Sequence, residues 1–145
     1  MSEQKTVYLS DYQPYSHIVE SVDLTFRLSP QVTRVLTRLA LHPNPDRPGR
    51  LDLRLDGEGL KLISCAVDGK PCTPRIDDHS LTIAAKDLPD APFILETEVE
   101  IAPEANTALE GLYMSKGMYC TQCEAEGFRK ITWYPDRPDV MSRFK

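Results

Sequence analysis

Residues 22–28 read VDLTFRL, and every second residue of this stretch is apolar. Side chains of a β-strand point alternately to its two faces, so a period of two indicates a strand with one buried and one exposed face. Residues 51–55 (LDLRL) and 93–101 (FILETEVEI) repeat the same alternation. Together, the three stretches predict a fold that is built on half-buried strands.

Turn signals separate these stretches at short intervals. Ser29-Pro30 and the segment HPNPDRPG at residues 42–49 each end a stretch, and Asp68-Gly69 is a strong hairpin signal. The chain holds 12 prolines, which interrupt helices, and no dozen residues show a clear helical period. We therefore expect an all-β fold of about seven short, mostly antiparallel strands with little helix, arranged either as a sandwich or as an open, curved pair of sheets.

Length and composition restrict the classes of function. The 145 residues suffice for one domain, and 41% hydrophobic with 27% charged residues is typical of a globular chain. The net charge of −5 argues against a nucleic-acid-binding surface, and no apolar run is long enough to span a membrane. The polar start, MSEQKTVYLSDYQ, lacks the apolar core of a signal peptide. These features predict a cytoplasmic protein that binds neither nucleic acid nor membrane.

The domain organisation follows from the absence of internal boundaries. No repeat or low-complexity segment occurs and nothing marks an internal boundary, so residues 1–145 are predicted to form a single domain. Residues 139–145 (DVMSRFK) begin another alternating stretch, which the end of the sequence cuts short. A domain rarely ends within a strand, so this pattern favours the front part of a longer protein.

The segment CTQCEAEGFR, residues 120–129, contains two cysteines that could carry chemistry. Cys120 and Cys123 could begin a zinc site or form a redox-active dithiol. Structural zinc requires four ligands, and the other two cysteines, Cys65 and Cys72, are poorly spaced for that role. A reactive dithiol needs a helix N-terminus, which no pattern here predicts. We interpret the pair as two small, half-buried thiols, with a zinc or dithiol site as the alternative.

Two acidic residues follow the cysteines. Glu124 and Glu126 stand one residue apart, close to Arg129. In an extended segment, the two carboxylates would point to the same side. Such a cluster can receive a cation, for example an amine, or it can form a solvated acidic turn in which Arg129 pairs with one glutamate. The residue types alone leave both interpretations open.

A longer segment around these residues resembles a known family. Residues 110–144, EGLYMSKGMYCTQCEAEGFRKITWYPDRPDVMSRF, closely resemble the N-terminal domain of bacterial alanyl aminopeptidases (aminopeptidase N), which are HExxH-type zinc aminopeptidases. The resemblance rests on GLY-x-S followed by TQCEAEGFR-x-IT-x-Y-x-DRPDV-x-x-RF. Residues 8–28, YLSDYQPYSHIVESVDLTFRL, match the opening of the same domain more loosely.

The resemblance implies specific roles for the residues in this segment. The family's Q-x-E motif falls on Gln122 and Glu124. In the family, the glutamate binds the free α-amino group of the peptide substrate, and the glutamine helps to line the pocket for the first side chain. Glu126 resembles a scaffold position that orients the loop or pairs with Arg129. In the family, this first domain is all-β, a curved, saddle-like β-sandwich that packs on a thermolysin-like catalytic domain. Zinc and the HExxH helix belong to that catalytic domain, which this chain lacks.

The resemblance also implies the activity of the longer protein. The full-length protein would be a zinc aminopeptidase that removes N-terminal amino acids from peptides. The chain by itself is expected to bind no metal and to be inactive. Its implied partners are the substrate N-terminus and the catalytic domain of the same polypeptide. A stand-alone β-sandwich binding module without catalytic activity is the alternative.

Overall fold

A computed structural model describes residues 5–145, so residues 1–4 of the predicted domain lie outside the described residues. Strands and short three-residue 3-10 helices are the regular elements of this range. The strands are β1 (His17–Arg27), β2 (Thr33–Pro43), β3 (Leu53–Asp56), β4 (Lys61–Val67), β5 (Lys70–Pro71), β6 (Arg75–Ile76), β7 (Ser80–Ile83), β8 (Phe93–Ile101), β9 (Gly111–Ser115), β10 (Met118–Gln122) and β11 (Arg143–Phe144). The 3-10 helices are Leu9–Asp11, Ala85–Asp87, Pro103–Ala105 and Phe128–Lys130.

The largest sheet has the strand order β11-β1-β2-β8-β4-β5. Its neighbouring strands run antiparallel, apart from β11, which pairs in parallel with β1. Along β8, buried residues alternate with more exposed ones from Phe93 to Ile101. The apolar face of this strand therefore covers the core, and its glutamates face outward, because side chains alternate across a strand.

A three-stranded sheet with the order β3-β7-β6 contributes to the same core. Leu53, Leu55 and Leu81 of this sheet have no exposed surface, and they belong to one apolar cluster with inward residues of β1, β2 and β8. Burying a leucine side chain contributes about 1.5–3 kcal/mol relative to an exposed one. Trp133 also lies in this cluster, and it packs so closely on Gly57 that a β-carbon there would collide with its ring.

The third sheet is the hairpin of β9 and β10. Its strands pair with each other from Gly111↔Gln122 to Ser115↔Met118. The hairpin contacts the 3-10 helices Pro103–Ala105 and Phe128–Lys130. No helix in residues 5–145 is long and apolar enough to cross a membrane.

The predicted all-β class is confirmed. Strands make up 45% of the structure and helix 9%, the sheets are open, and no helix of the described residues reaches 7 residues. The alternation in residues 93–101 corresponds to β8, and the Asp68-Gly69 turn joins β4 to β5. The sequence pattern did not reveal the β9–β10 hairpin, which carries the candidate site.

Candidate functional site

The predicted site residues lie at the end of the β9–β10 hairpin and just after it. Lys116 and Gly117 form the hairpin turn with φ angles of 50° and 77°, as a two-residue turn of this twist requires. Gln122 is the last residue of β10 and pairs with Gly111. The ladder therefore holds the backbone of Gln122, while its side chain is exposed. The amide nitrogen of that side chain lies 3.4 Å from the Glu124 carbonyl oxygen, a long and weak hydrogen bond.

A tight turn after β10 determines where the acidic residues lie. The amide of Gly127 donates a hydrogen bond to the Cys123 carbonyl over 2.9 Å. A β-carbon at position 127 would collide with the Gln122 carbonyl oxygen and would lie 2.8 Å from the Cα of Cys123. The φ angle of Gly127, −78°, is one that any residue can adopt. Close packing, and not backbone conformation, therefore requires a glycine at this position. The extended conformation considered for this segment is wrong, so its two glutamates do not share the face of a strand.

Glu124 is the exposed acid at the start of this turn. Within residues 5–145, the structure records no hydrogen bond and no ion pair of its carboxylate, although its backbone carbonyl accepts the weak bond from Gln122. An ionised carboxylate without a partner is a strong acceptor for an ammonium group, since such bonds are charge-assisted. The geometry therefore leaves this carboxylate available to a cation.

Glu126 and Arg129 form a separate arrangement. The Arg129 Nη2 lies 3.6 Å from the Glu126 Oε1, but its Nε lies closer to the Oδ2 of Asp136, at 3.1 Å. Glu126 is 71% exposed, whereas Arg129 and Asp136 are each 16% exposed. Burial acts to lower the pKa of Arg129, but its hydrogen bond to Asp136 and the neighbouring acidic charges raise that pKa above its ordinary value. Asp136 is thus the principal partner of Arg129, and Glu126 adds a weak surface contact.

This ion pair connects the turn to the rest of the fold. The Asp136 amide donates to the Oδ2 of Asp56 over 3.0 Å, and Arg54 binds the other carboxylate oxygen of Asp56 at 2.9 Å. The Asp56 and Tyr134 backbones exchange hydrogen bonds of 2.9 and 3.2 Å. Because Asp56 ends β3, these bonds attach the segment after the turn to the edge of the three-stranded sheet. These contacts therefore hold the acidic turn in place relative to the three-stranded sheet.

The two cysteines of the segment do not converge on a metal. Both are free and half-buried. Burial, with the Asp136 charge as a second cause, raises the pKa of the Cys123 thiol, which is opposite to the shift of a reactive thiolate. In the part of the chain that the structure describes, no group of three histidine, cysteine, aspartate or glutamate side chains is placed to hold a metal ion. The donor set of these residues does not fit a zinc site, which needs at least three protein ligands.

Gly127, Asp136 and Asp56 support the site, and the sequence analysis did not assign them to it. Gly127 directly follows Glu126 in the sequence, and a glycine at such a position is a signal for a tight turn. Arg137 pairs locally with Asp139, two residues further on, at 2.7 Å. The pairing of Asp136 with Arg129 instead depends on three-dimensional packing, which leaves no signal in the order of the residues.

Known proteins resemble this chain in sequence and in fold. No protein-family model matches the chain. Aminopeptidase N of Caulobacter vibrioides is 50% identical over 143 residues, which are 97% of this chain and 16% of the relative. The crystal structure of Legionella pneumophila aminopeptidase A in complex with aspartic acid has a TM-score of 0.84 and 32% identity, and the match covers 94% of this chain and 16% of that one.

A more distant structure has the same fold. An M1 zinc metallopeptidase from Deinococcus radiodurans matches 90% of this chain and 31% of its own, with a TM-score of 0.71 and 17% identity. The resemblance to bacterial aminopeptidase N is confirmed by these comparisons, and the chain aligns with the N-terminal part of such enzymes. It spans about 16% of the length of the curated relative from Caulobacter vibrioides.

Proposed function

We propose that this chain is the N-terminal β domain of a zinc aminopeptidase and that its acidic turn binds the free α-amino group of the peptide substrate. Glu124 accepts the hydrogen bond of the ammonium, and Gln122 lines the pocket for the first side chain. The observation that carries the proposal is the exposed Glu124 carboxylate, for which residues 5–145 provide no recorded partner, beside a network in which the nearby acids are paired.

The proposal assigns zinc to another part of the protein. Enzymes named aminopeptidase N and M1 zinc metallopeptidase are several times longer than this chain, and the described residues offer no zinc ligand set. Zinc, when bound in the catalytic domain, would activate a water molecule for attack on the peptide carbonyl. The residues of this chain hold the amine of the substrate. Its partners are thus a peptide N-terminus and that catalytic domain, in a cytoplasmic protein.

An amine anchor explains how an exopeptidase selects the end of a peptide. A charge-assisted hydrogen bond contributes about 1.5–3 kcal/mol. In the exposed turn, water competes for the carboxylate, and the contact reaches its full strength only where a second domain excludes water. A peptide with a blocked amine leaves the confined carboxylate unpaired, which disfavours its binding. The fixed position of the amine then determines which carbonyl reaches the catalytic centre.

Kinetics of the full-length protein with Glu124→Ala test the anchor. Loss of about 1.5–3 kcal/mol corresponds to a kcat/KM roughly 10- to 150-fold lower for an alanine anilide, expressed mainly in KM. Hydrolysis of the N-acetylated anilide should change little, so the preference for a free amine should fall. Glu104→Ala is a matched control, because Glu104 is an exposed acid in the 3-10 helix Pro103–Ala105. Wild-type kinetics in Glu124→Ala would refute the anchor.

A second experiment tests the assignment of the catalytic centre to another domain. The purified 145-residue chain should neither bind stoichiometric zinc nor hydrolyse alanine anilides. Hydrolysis that co-purifies with this chain and disappears with a chelator would show that it carries its own catalytic centre. The alternative of a stand-alone binding module predicts that the natural gene product has a mass close to 16.4 kDa.

A further inference from the structure

Cys65 and Cys72 face each other across the β4–β5 hairpin, well apart in sequence from the acidic turn. Their sulfur atoms are 3.1 Å apart, and both cysteines are free. The Cys72 amide donates to the Cys65 carbonyl over 3.0 Å, so the two residues extend the ladder beyond the pair Ala66↔Pro71. We propose that Cys65 and Cys72 are a dithiol modification site, which hydrogen peroxide oxidises to an intramolecular disulfide.

The backbone hydrogen bond from Cys72 to Cys65 indicates a separation close to the one that a disulfide needs. Directly opposed residues of a hydrogen-bonded antiparallel pair have Cα atoms about 5.5 Å apart, within the range of about 4.4–6.8 Å for cystines. A sulfur–sulfur bond is about 2.05 Å long, so the two sulfur atoms must approach by only about 1 Å. The two-residue turn at Asp68-Gly69, with φ angles of 49° and 78°, holds the strands in this register.

The environments of the two thiols give them different roles. Cys65 is 7% exposed. Burial, followed by hydrogen bonding with Cys72, raises the pKa of the Cys65 thiol, which therefore stays protonated. Cys72 is more exposed and lines an open cleft with Lys70, Thr73 and Lys86. Peroxide can reach Cys72 from this cleft, so Cys72 is the attacking residue and Cys65 is the resolving residue.

The reaction balances with peroxide as the oxidant. The Cys72 thiol loses its proton and its sulfur attacks one peroxide oxygen; the O–O bond breaks, and the departing hydroxide leaves as water with that proton. The Cys65 sulfur then attacks the sulfenic sulfur of Cys72. The S–S bond forms, the S–O bond breaks, and the second hydroxide leaves as water with the proton of Cys65. Two thiols are oxidised by two electrons, and one peroxide is reduced to two waters.

The disulfide would change the edge of the largest sheet. β5 has only two residues and is the edge strand next to β4. A covalent bond beyond its last residue would hold it against β4 when its few hydrogen bonds open. This site is independent of the proposed amine anchor, which belongs to a different sheet.

Peptide mapping of the natural gene product, treated with hydrogen peroxide and then alkylated, tests the proposal. Trypsin does not cleave between Lys70 and Pro71, so one peptide, residues 62–75, contains both cysteines. We expect this peptide to lose two hydrogen masses and to escape alkylation until a reductant is added. The peptide of residues 117–129 contains Cys120 and Cys123 and is an internal control, because the structure records no sulfur–sulfur contact between these two in the described chain. Faster oxidation of the control peptide would overturn the proposal.

Single substitutions test the assigned roles. In Cys65→Ala, Cys72 should accumulate sulfenic acid that a dimedone probe labels, since no resolving thiol remains. In Cys72→Ser, Cys65 should react with peroxide at least about tenfold more slowly, because it is buried and protonated. Equal labelling of the remaining cysteine in both variants would refute the assignment. Direct oxidation of wild-type Cys72 to sulfinic acid, with Cys65 still alkylated, would refute disulfide formation.

Discussion

Replacing Gly127 with alanine should displace the acidic turn without changing any charge. The new β-carbon would lie 2.8 Å from the Cα of Cys123 and would collide with the Gln122 carbonyl oxygen. Carbon atoms pack at about 3.5–4.0 Å, so the backbone must move by roughly 1 Å. Both atoms are backbone atoms at the end of β10, so no side-chain rotation can relieve the collision. Strain of this kind destabilises by about 1–3 kcal/mol.

The displacement should be visible in two measurements on the full-length protein. Hydrogen exchange of the Gly127 amide should be faster, because its hydrogen bond to Cys123 would be weakened. If Glu124 anchors the substrate amine, a shift of about 1 Å should lower kcat/KM for an alanine anilide by about 10- to 100-fold. Gly117→Asn is the matched control at the other end of the hairpin, where a β-carbon would have no atom within 4 Å and the φ angle of 77° suits asparagine.

Each outcome has a distinct meaning. Unchanged exchange and unchanged kinetics would show that the turn accommodates a β-carbon, and the close packing inferred at Gly127 would be wrong. Faster exchange with wild-type kinetics would show that the turn moves without consequence for the substrate. That second result would contradict the proposed role of Glu124 while leaving the inferred packing intact.

Two further predictions concern stability and can be measured by urea denaturation of the 145-residue chain. Arg129→Met should destabilise the chain by about 2–4 kcal/mol, because the largely buried carboxylate of Asp136 loses the guanidinium of Arg129. Glu126→Gln should change the free energy of unfolding by less than about 0.5 kcal/mol. Equal effects of the two substitutions would contradict the assigned pairing. Burial, with the nearby His42 charge as a second cause, lowers the pKa of His17. At His17, the unfolded chain therefore takes up a proton before the folded chain as pH falls through about 6.5, so the contribution of His17 to stability should fall there. The stability of His17→Asn relative to the unsubstituted chain should accordingly rise as the pH is lowered, and an identical pH profile in the variant would refute this.

The strands of the main sheet were predictable because they have one buried and one exposed face. In β8, a single alternating pattern, FILETEVEI, specifies both the strand and its orientation toward the core. The β9–β10 hairpin lacks this signal because β10 buries none of its five residues. β9 buries the adjacent residues Gly111 and Leu112, and β10 is held by its ladder with β9 and by the turn at Lys116-Gly117, so neither strand shows an alternation of apolar residues. Periodicity reveals a strand through the alternation of buried and exposed residues, so it does not reveal a strand such as β10, none of whose residues is buried.

Within the candidate site, too, some residues could be predicted from the sequence and others could not. The resemblance indicated Gln122 and Glu124 because a motif is local in sequence. The supporting contacts are long-range, since Asp136 binds the carboxylate of Asp56, 80 positions earlier. No pattern in one sequence reports such a pairing, which forms only when β3 and the segment after the turn pack together. The motif residues Gln122 and Glu124 are thus close together in the sequence, whereas Asp136 and Asp56, which support them, come together only when the chain folds.

The distribution of charge in this segment sets Glu124 apart from the acids that pair within the chain. Asp136 pairs with Arg129 at 3.1 Å, and Glu110 pairs with Lys130 at 2.6 Å. The two cations that lie nearest to the acidic turn in sequence, Arg129 and Lys130, are therefore paired with acids of the scaffold. Glu124 lies beside this network, and the described residues provide no recorded cation for its carboxylate. If Glu124 were another charge that holds the scaffold together, a partner within residues 5–145 would be expected. An amine anchor and a solvated acid are both unpaired in the free domain, and the kinetics of Glu124→Ala distinguish them. The charge of Glu124 is available to a cation from outside the domain, as an anchor for a substrate amine requires.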